Sequence, residues 1–139
     1  MTRFALASIA AICLVVPGPA LAYAAIAIGQ PPDVAKGGLA FGAGWHQVSR
    51  EKSESEALAK CRTTDSAPES ARNLCRIVAH FDNRCMSIAL DPRAGTYGYG
   101  WGLADTMQEA DDIAMTYCRA TAREEAAACV YSKLKGCDN

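Results

Sequence analysis

The only two imidazoles of the 139-residue chain, His46 and His80, are candidate general bases. His80 lies in an apolar strand-like run two residues before Asp82, and His46 follows Trp45 where a strand gives way to a helix. An imidazole beside a carboxylate can accept a proton near neutral pH, as a small secreted hydrolase would require. The simpler interpretation is a solvent-facing strand residue at position 80 and a loop residue at position 46. Because the chain has no HExxH, G-x-S-x-G or P-loop motif, we predict that it is not an enzyme.

Cysteine is the second residue type that could form bonds of functional or structural importance. Of seven cysteines, Cys13 lies in the apolar N-terminal run and six follow residue 22. An even number in an exported chain indicates disulfide bonds. Metal ligands come in close pairs such as C-x2-C, whereas the gaps here are 13, 9, 32, 10 and 7 residues. We therefore expect disulfides, with neither a metal nor another cofactor, at Cys61, Cys75, Cys85, Cys118, Cys129 and Cys137.

Residues 95–102 alternate glycine with larger residues and form the third candidate site. From Gly98 to Gly102 the glycines recur every second residue, and the run does not follow the G-x-G-x-x-G spacing of a dinucleotide site. Such alternation predicts a strand that is flat on one face and aromatic on the other. The aromatic row either packs against the following helix, which we favour, or forms a contact surface. Its members, tentative binding residues, are Tyr97, Tyr99 and Trp101.

These residues are carried by a strand–strand–helix–strand pattern that occurs twice, in residues 23–84 and 85–139. Each copy has an apolar strand, a strand rich in glycine and aromatics, a helix ending in cysteine, and a further strand. The first copy also has an insert, Gln30 to Lys36, after its first strand. One such unit cannot bury its apolar face alone. We therefore predict an α+β fold in which two pseudo-symmetric β-β-α-β units share one core and are stabilised by disulfides.

Capping residues predict where the two helices begin. Ser49 or Ser53 can cap the first, and Ser53 with Glu56 fits a capping box, as Thr106 with Glu109 does in the second. Spacing predicts that the first helix buries Ala57, Leu58 and Cys61 and that the second buries Met107, Ala110, Ala114, Tyr117 and Cys118.

Turn residues predict how the two copies are connected. The turn Asp82-Asn83-Arg84 predicts a short hairpin between strands at 75–81 and 85–90. The corresponding final strand of the second copy is expected at 129–134.

The first 22 residues have the parts of a secretory signal: Arg3, an apolar run over 4–16, and the cleavage site Ala20-Leu21-Ala22. The apolar run of 13 residues is shorter than the roughly 20 that span a bilayer, although an uncleaved anchor is the alternative. We expect a single domain, residues 23–139, that is secreted or periplasmic and has no stable membrane anchor.

Charge excludes one class of partner. Removal of Arg3 with the signal leaves 13 basic against 15 acidic residues, a net charge near −2. A protein that binds the nucleic-acid backbone needs a basic excess. We therefore predict no nucleic-acid partner, and a protein or another envelope component in its place.

The paired motifs resemble the bacterial family called domain of unknown function 4189, here as two tandem copies of its unit. They are an apolar strand (25–27, echoed at 87–89), a Gly/aromatic strand (98–101), an alanine-spaced helix ending at Cys118, and a Cys-Val strand start at Cys129 followed by Cys137. The first copy departs through its insert and through Ser53, where an alanine is expected. The resemblance implies a small, exported, cysteine-containing domain and provides no catalytic residues.

Symmetry between the copies limits the disulfide pairings. Equivalent cysteines lie at the helix ends, at the starts of the final strands, and after those strands. Bonds can join the first two kinds within each unit, or join equivalent positions across the axis. We predict Cys61–Cys75 and Cys118–Cys129 within units, with Cys85–Cys137 between them.

The leading functional hypothesis is a disulfide-stabilised binding or interaction module with an unknown ligand. Its contact surface would be either the aromatic row or the insert Gln30 to Lys36. The alternatives are the small secreted hydrolase and an inhibitor or immunity factor for a secreted enzyme.

Overall fold

The computed structural model describes residues 22–122 and 128–138, so the predicted signal lies outside the described residues except for Ala22. Two antiparallel sheets account for the strands, in the orders β2-β1-β3 and β5-β4-β6, with β7 also beside β4. The elements are β1 (Tyr23–Gly29), α1 (Val34–Gly37), β2 (Ala40–Gln47), α2 (Arg50–Thr63), α3 (Glu69–Arg72), β3 (Arg76–Phe81), β4 (Cys85–Leu90), β5 (Tyr99–Ala104), α4 (Met107–Thr121), β6 (Val130–Tyr131) and β7 (Gly136–Cys137). The predicted α+β class is confirmed.

The two sheets pack face to face, and one long helix covers the outer face of each. The shared core between the sheets includes Ile26 and Ile28 of β1, Met86 and Ile88 of β4, and Trp101 of β5. The intervening residues of the same strands face the helices, because successive side chains of a strand alternate between its faces. The layers therefore run α2, first sheet, second sheet, α4.

Glycines bring each long helix into contact with the strand beneath it. A Cβ at Gly102 would lie 2.5 Å from the Ala110 carbonyl oxygen of α4, and Gly44 lies similarly against Ser53 of α2. The favoured interpretation of the aromatic row was therefore wrong. The glycine face of β5 lies under the helix, and the aromatic face points towards the other sheet, where Trp101 packs.

The helix starts confirm the cap predicted at Thr106 and correct the capping box predicted at Ser53. Thr106 caps α4, because its hydroxyl accepts from the Glu109 amide at 3.3 Å. Ser49 caps α2, so the box predicted at Ser53 is wrong. Ser53 lies inside the helix, fully buried, where its hydroxyl donates to the Arg50 carbonyl at 2.8 Å.

The buried faces of the helices are narrower than the periodicity predicted. Small residues at every fourth position are fully buried, while Leu58 and Met107 are only partly buried. Tyr117 was expected on the buried stripe but is 58% exposed. The helix lies so close to Gly100 of β5 that there is no room for an aromatic ring between them. The buried sets are Ser53, Ala57 and Cys61 in α2 and Ala110, Ala114 and Cys118 in α4.

The turn Asp82-Asn83-Arg84 does not close a hairpin. Strand β3 pairs with β1, whereas β4 pairs with β5, β6 and β7, so the chain crosses here from one sheet to the other. Asn83 adopts a left-handed backbone conformation (φ 48°) that suits this corner. The strand expected over 129–134 is also shorter, because only Val130 and Tyr131 pair regularly.

Disulfides link Cys61 to Cys75, Cys118 to Cys129, and Cys85 to Cys137, the three pairs expected from the repeated pattern. The first two tie each long helix to the chain segment that follows it. The third joins β4 to β7 within the second sheet, so the prediction that it links the two units is wrong. Within residues 22–122 and 128–138, no helix is both long and apolar enough to cross a membrane.

Candidate functional site

A groove of about 880 Å³ opens at one end of the two-sheet sandwich. The insert after β1 and the turn after β4 form its two walls, because these equivalent strands end on the same side of the molecule. Its apolar floor consists of Leu39, Phe41, Leu90 and Leu134. A volume of this size is typical of ligand sites in proteins, which lie in the range of about 300–1,000 Å³.

The insert wall is built around the single helical turn α1. Asp33 caps it by accepting from the Lys36 amide at 3.3 Å, and Val34 is buried beneath it. Gly37 lies against the Pro31 ring, and Gly38 takes a positive φ of 65° beside Pro68. These contacts give the insert a defined shape at the edge of the groove.

The opposite wall is organised by the buried carboxylate of Asp91. It accepts from the Arg93 guanidinium at 2.6 Å, from the Arg93 amide at 3.0 Å and from the Ala128 amide at 3.1 Å. The hydrogen bond from the Arg93 side chain is the main reason that the pKa of Asp91 lies well below its usual range, although burial opposes the shift. The amide of Asp91 donates to the Gly98 carbonyl at 2.8 Å, which closes the turn.

The exposed charges of the groove lining are positive. Lysines 36, 60 and 133 and Arg93 line it, while the one carboxylate among the described lining residues, that of Asp91, is fully buried beneath Arg93. The whole chain, by contrast, carries a net charge of −1.

Acidic partners outside the groove pair with some of these cations. Lys60 lies 2.6 Å from Glu56, and the exposed Lys36 lies 3.6 Å from Asp33. The side chain of Lys133 has no hydrogen bond or ion pair with any described residue. The groove therefore presents an apolar floor, a cationic rim and one lysine available to an anionic group.

The aromatic row does not line this groove, and its members lie in different surroundings. Trp101 packs in the core between the sheets, and Tyr97 precedes the start of β5. Tyr99 is partly buried, and that burial raises its pKa although Gln30 and Arg76 lower it. Of the two contact surfaces expected from the sequence, only the insert borders the groove.

His46 lies beside a buried acid that the sequence did not single out. Its Nδ1 lies 3.1 Å from Oδ1 of Asp138, and its backbone amide donates to the same oxygen at 2.6 Å. The pair ties the end of β2 to the segment after β7 and holds His46 at a positive φ of 52°. The imidazole is 59% exposed, so the arrangement orients the ring without enclosing a reaction site.

His80 lines a smaller cavity of about 230 Å³ together with Asp82. Its Nε2 lies 2.6 Å from Glu54, so the carboxylate partner differs from the one proposed from the sequence. Ser53, which also lines this cavity, donates its hydroxyl to a helix carbonyl. Among the described residues, no cluster of three metal-ligating side chains is present.

Sequence reasoning missed the groove because its walls are more than 50 residues apart. A usable signal was present, since the insert Gln30 to Lys36 and the turn at 91–95 follow equivalent strands. Equivalent strand ends in a symmetric arrangement would lie at the same end of the fold. Nothing local marked Lys133 as part of the same surface.

Comparison with known proteins gives one family match. The model of DUF4189, described as a domain of unknown function, matches residues 23–133. Neither the curated proteins nor the solved structures yield a match. Since the matched segment covers most of the chain, the protein belongs to the DUF4189 family.

Proposed function

We propose that this protein is an exported, disulfide-stabilised binding module and that the groove is its contact surface. The groove itself is the observation that carries the proposal, because it combines ligand-sized volume, an apolar floor and a cationic rim. The insert Gln30 to Lys36, proposed from the sequence as a contact surface, supplies one wall.

Three disulfides in one small domain support an oxidising compartment, either the periplasm or the exterior of the cell. The partner would be a protein or another envelope component, not a nucleic acid.

We also propose that the two halves arose by tandem duplication of one β-β-α-β unit. Support comes from the matching glycine strands, from small helix residues at the same spacing, and from the within-unit disulfides at equivalent positions. On this view, the groove formed where the insert of the first unit faces the turn of the second.

The proposal is tested by locating where small probes bind. We expect N-acetyl-leucinamide, N-acetyl-phenylalaninamide and acetate to shift backbone amide signals at 34–36, 94–96 and 132–134 in two-dimensional NMR spectra. The same probes should leave the signals of the exposed residues 51, 52 and 55 of α2 and of the exposed face of α4 unchanged.

A blocking variant provides the control for that experiment. Ala94 is exposed in the groove lining, so Ala94→Trp should fill the groove and abolish the shifts. Ala120 is exposed on α4 outside the lining, and Ala120→Trp should leave them intact. Shifts that cluster away from the groove, or that persist unchanged in Ala94→Trp, would refute the groove as the contact surface.

A further inference from the structure

We propose that the groove binds an extended acidic segment of another polypeptide, which adds as a strand to the edge of the first sheet at β2. This inference rests on the proposed function of the groove and specifies its ligand. Three features support it: the charge of the rim, the unpaired strand edge, and the spacing of the apolar floor.

Charge complementarity favours an anionic ligand. In the described part of the lining, the accessible charged groups are cations, and the carboxylate of Asp91 is buried and bound by Arg93. Lys133 is exposed, and its side chain has no partner among the described residues. The other three lining cations each lie beside a carboxylate, so the excess positive charge of the described lining is that of Lys133. This charge attracts acidic partners and repels basic ones, which gives specificity as well as faster association.

The strand edge favours a polypeptide over a lipid or a small anion. Within the described residues, β2 pairs only with β1 and stands at the edge of its sheet. Gly38, Leu39, Phe41 and Gly42, at the start of β2 and just before it, line the groove. An edge strand has backbone N–H and C=O groups that point away from its own sheet, and an extended peptide can pair with them.

The apolar floor fits the side-chain spacing of an added strand. Leu39 and Phe41 are two residues apart and therefore project to the same face, towards the shared core and the groove. Leu134 lies across from them in the same lining. A bound strand could place alternate apolar side chains on this floor and direct the intervening acidic side chains towards the lysine rim.

The test uses a synthetic peptide of about six residues, a common strand length, that alternates glutamate with leucine or valine. We expect isothermal titration to detect saturable binding that weakens as salt rises, because exposed ionic contacts are screened. A matched peptide with lysine in place of glutamate should not bind detectably. Methylation of alternate backbone nitrogens should lower affinity by roughly tenfold or more, since it blocks strand pairing.

Charge reversal in the protein identifies the rim. Lys133→Glu should weaken binding of the acidic peptide by roughly three- to tenfold, the range expected when one exposed ionic contact becomes repulsive. Lys52→Glu, an identical change at an exposed site on α2 outside the groove, should leave affinity unchanged. Circular dichroism and thermal melts on both variants would establish that each is folded.

The possible results separate this inference from the proposed function. Three results would each overturn the proposed acidic-strand ligand. They are equal affinity for the acidic and basic peptides, undiminished affinity of the methylated peptide, and unchanged affinity of the Lys133→Glu variant for the acidic peptide. If small probes still occupy the groove, its role as a contact surface survives such a result. If the small probes bind away from the groove instead, both proposals fail together.

Discussion

Replacing Gly100 with alanine should test the close contact between β5 and α4. A Cβ at this position would lie 2.5 Å from the amide nitrogen of Cys118, 2.6 Å from Cβ of Tyr117 and against the carbonyl oxygen of Ala114. Two of these atoms belong to the helix backbone, so a side-chain rotation cannot relieve the contact. The disulfide from Cys118 to Cys129 also restrains movement of the helix end.

The expected cost follows from two opposing effects. Forcing an added methyl group into a filled interface costs about 1–3 kcal/mol, and the backbone contacts place this site near the upper value. Substituting glycine with alanine also restricts the unfolded chain, which returns about 0.4–1 kcal/mol. We therefore expect Gly100→Ala to lower the free energy of unfolding by about 2 kcal/mol.

Urea unfolding of the oxidised protein, followed by tryptophan fluorescence, measures this change. Gly136→Ala is the matched control, because its nearest neighbour atom outside the adjoining chain would be a Trp45 ring carbon at 3.8 Å. That variant should be unchanged or slightly more stable. If Gly100→Ala unfolds with the same midpoint and slope as Gly136→Ala, the close helix-to-sheet contact is wrong.

Loss of the Cys85–Cys137 bond, which spans 52 positions, should cost about 4 kcal/mol on the chain-entropy model, against about 3 kcal/mol for Cys118–Cys129, which spans 11. Urea unfolding of the two double-alanine variants checks this order, and a reversed order would contradict it. Because the folded pKa of Asp91 is depressed, its stabilising contribution is present above the unfolded pKa of about 3.9 and is lost as pH falls towards the folded value. Wild-type protein should therefore lose stability more steeply than Asp91→Asn between about pH 5 and pH 2, and parallel urea titrations would count against this reasoning.

The repeated pattern predicted much of the fold because each element carries local signals. Thr106 marked the start of α4, and the Gly/aromatic run marked β5. The alternation of glycine with aromatic residues did not predict which face of β5 the helix covers, because both faces are covered, one by α4 and one by the other sheet. The decisive signal lay in the matching of small residues, since Gly100 requires an equally small partner such as Ala114 on the helix.

Non-local pairing explains the errors that remained. The turn Asp82-Asn83-Arg84 has the same local chemistry whether the chain folds back within one sheet or crosses to another. The outcome depended on the pairing of β3 with β1, about 50 residues earlier in the chain. The groove was hidden for the same reason, since Lys133 and the insert meet only through the stacking of the two sheets.

Intermolecular nuclear Overhauser effects in the complex with the acidic peptide test the central claim most directly. If the groove binds an extended polypeptide at the edge of β2, the backbone protons of the peptide should give contacts to residues 38–42 in the alternating pattern of paired strands. The leucine side chains of the peptide should also contact Phe41 and Leu134. Contacts confined to the edge of β3 or to the outer face of α4, with none to residues 38–42, would contradict the account.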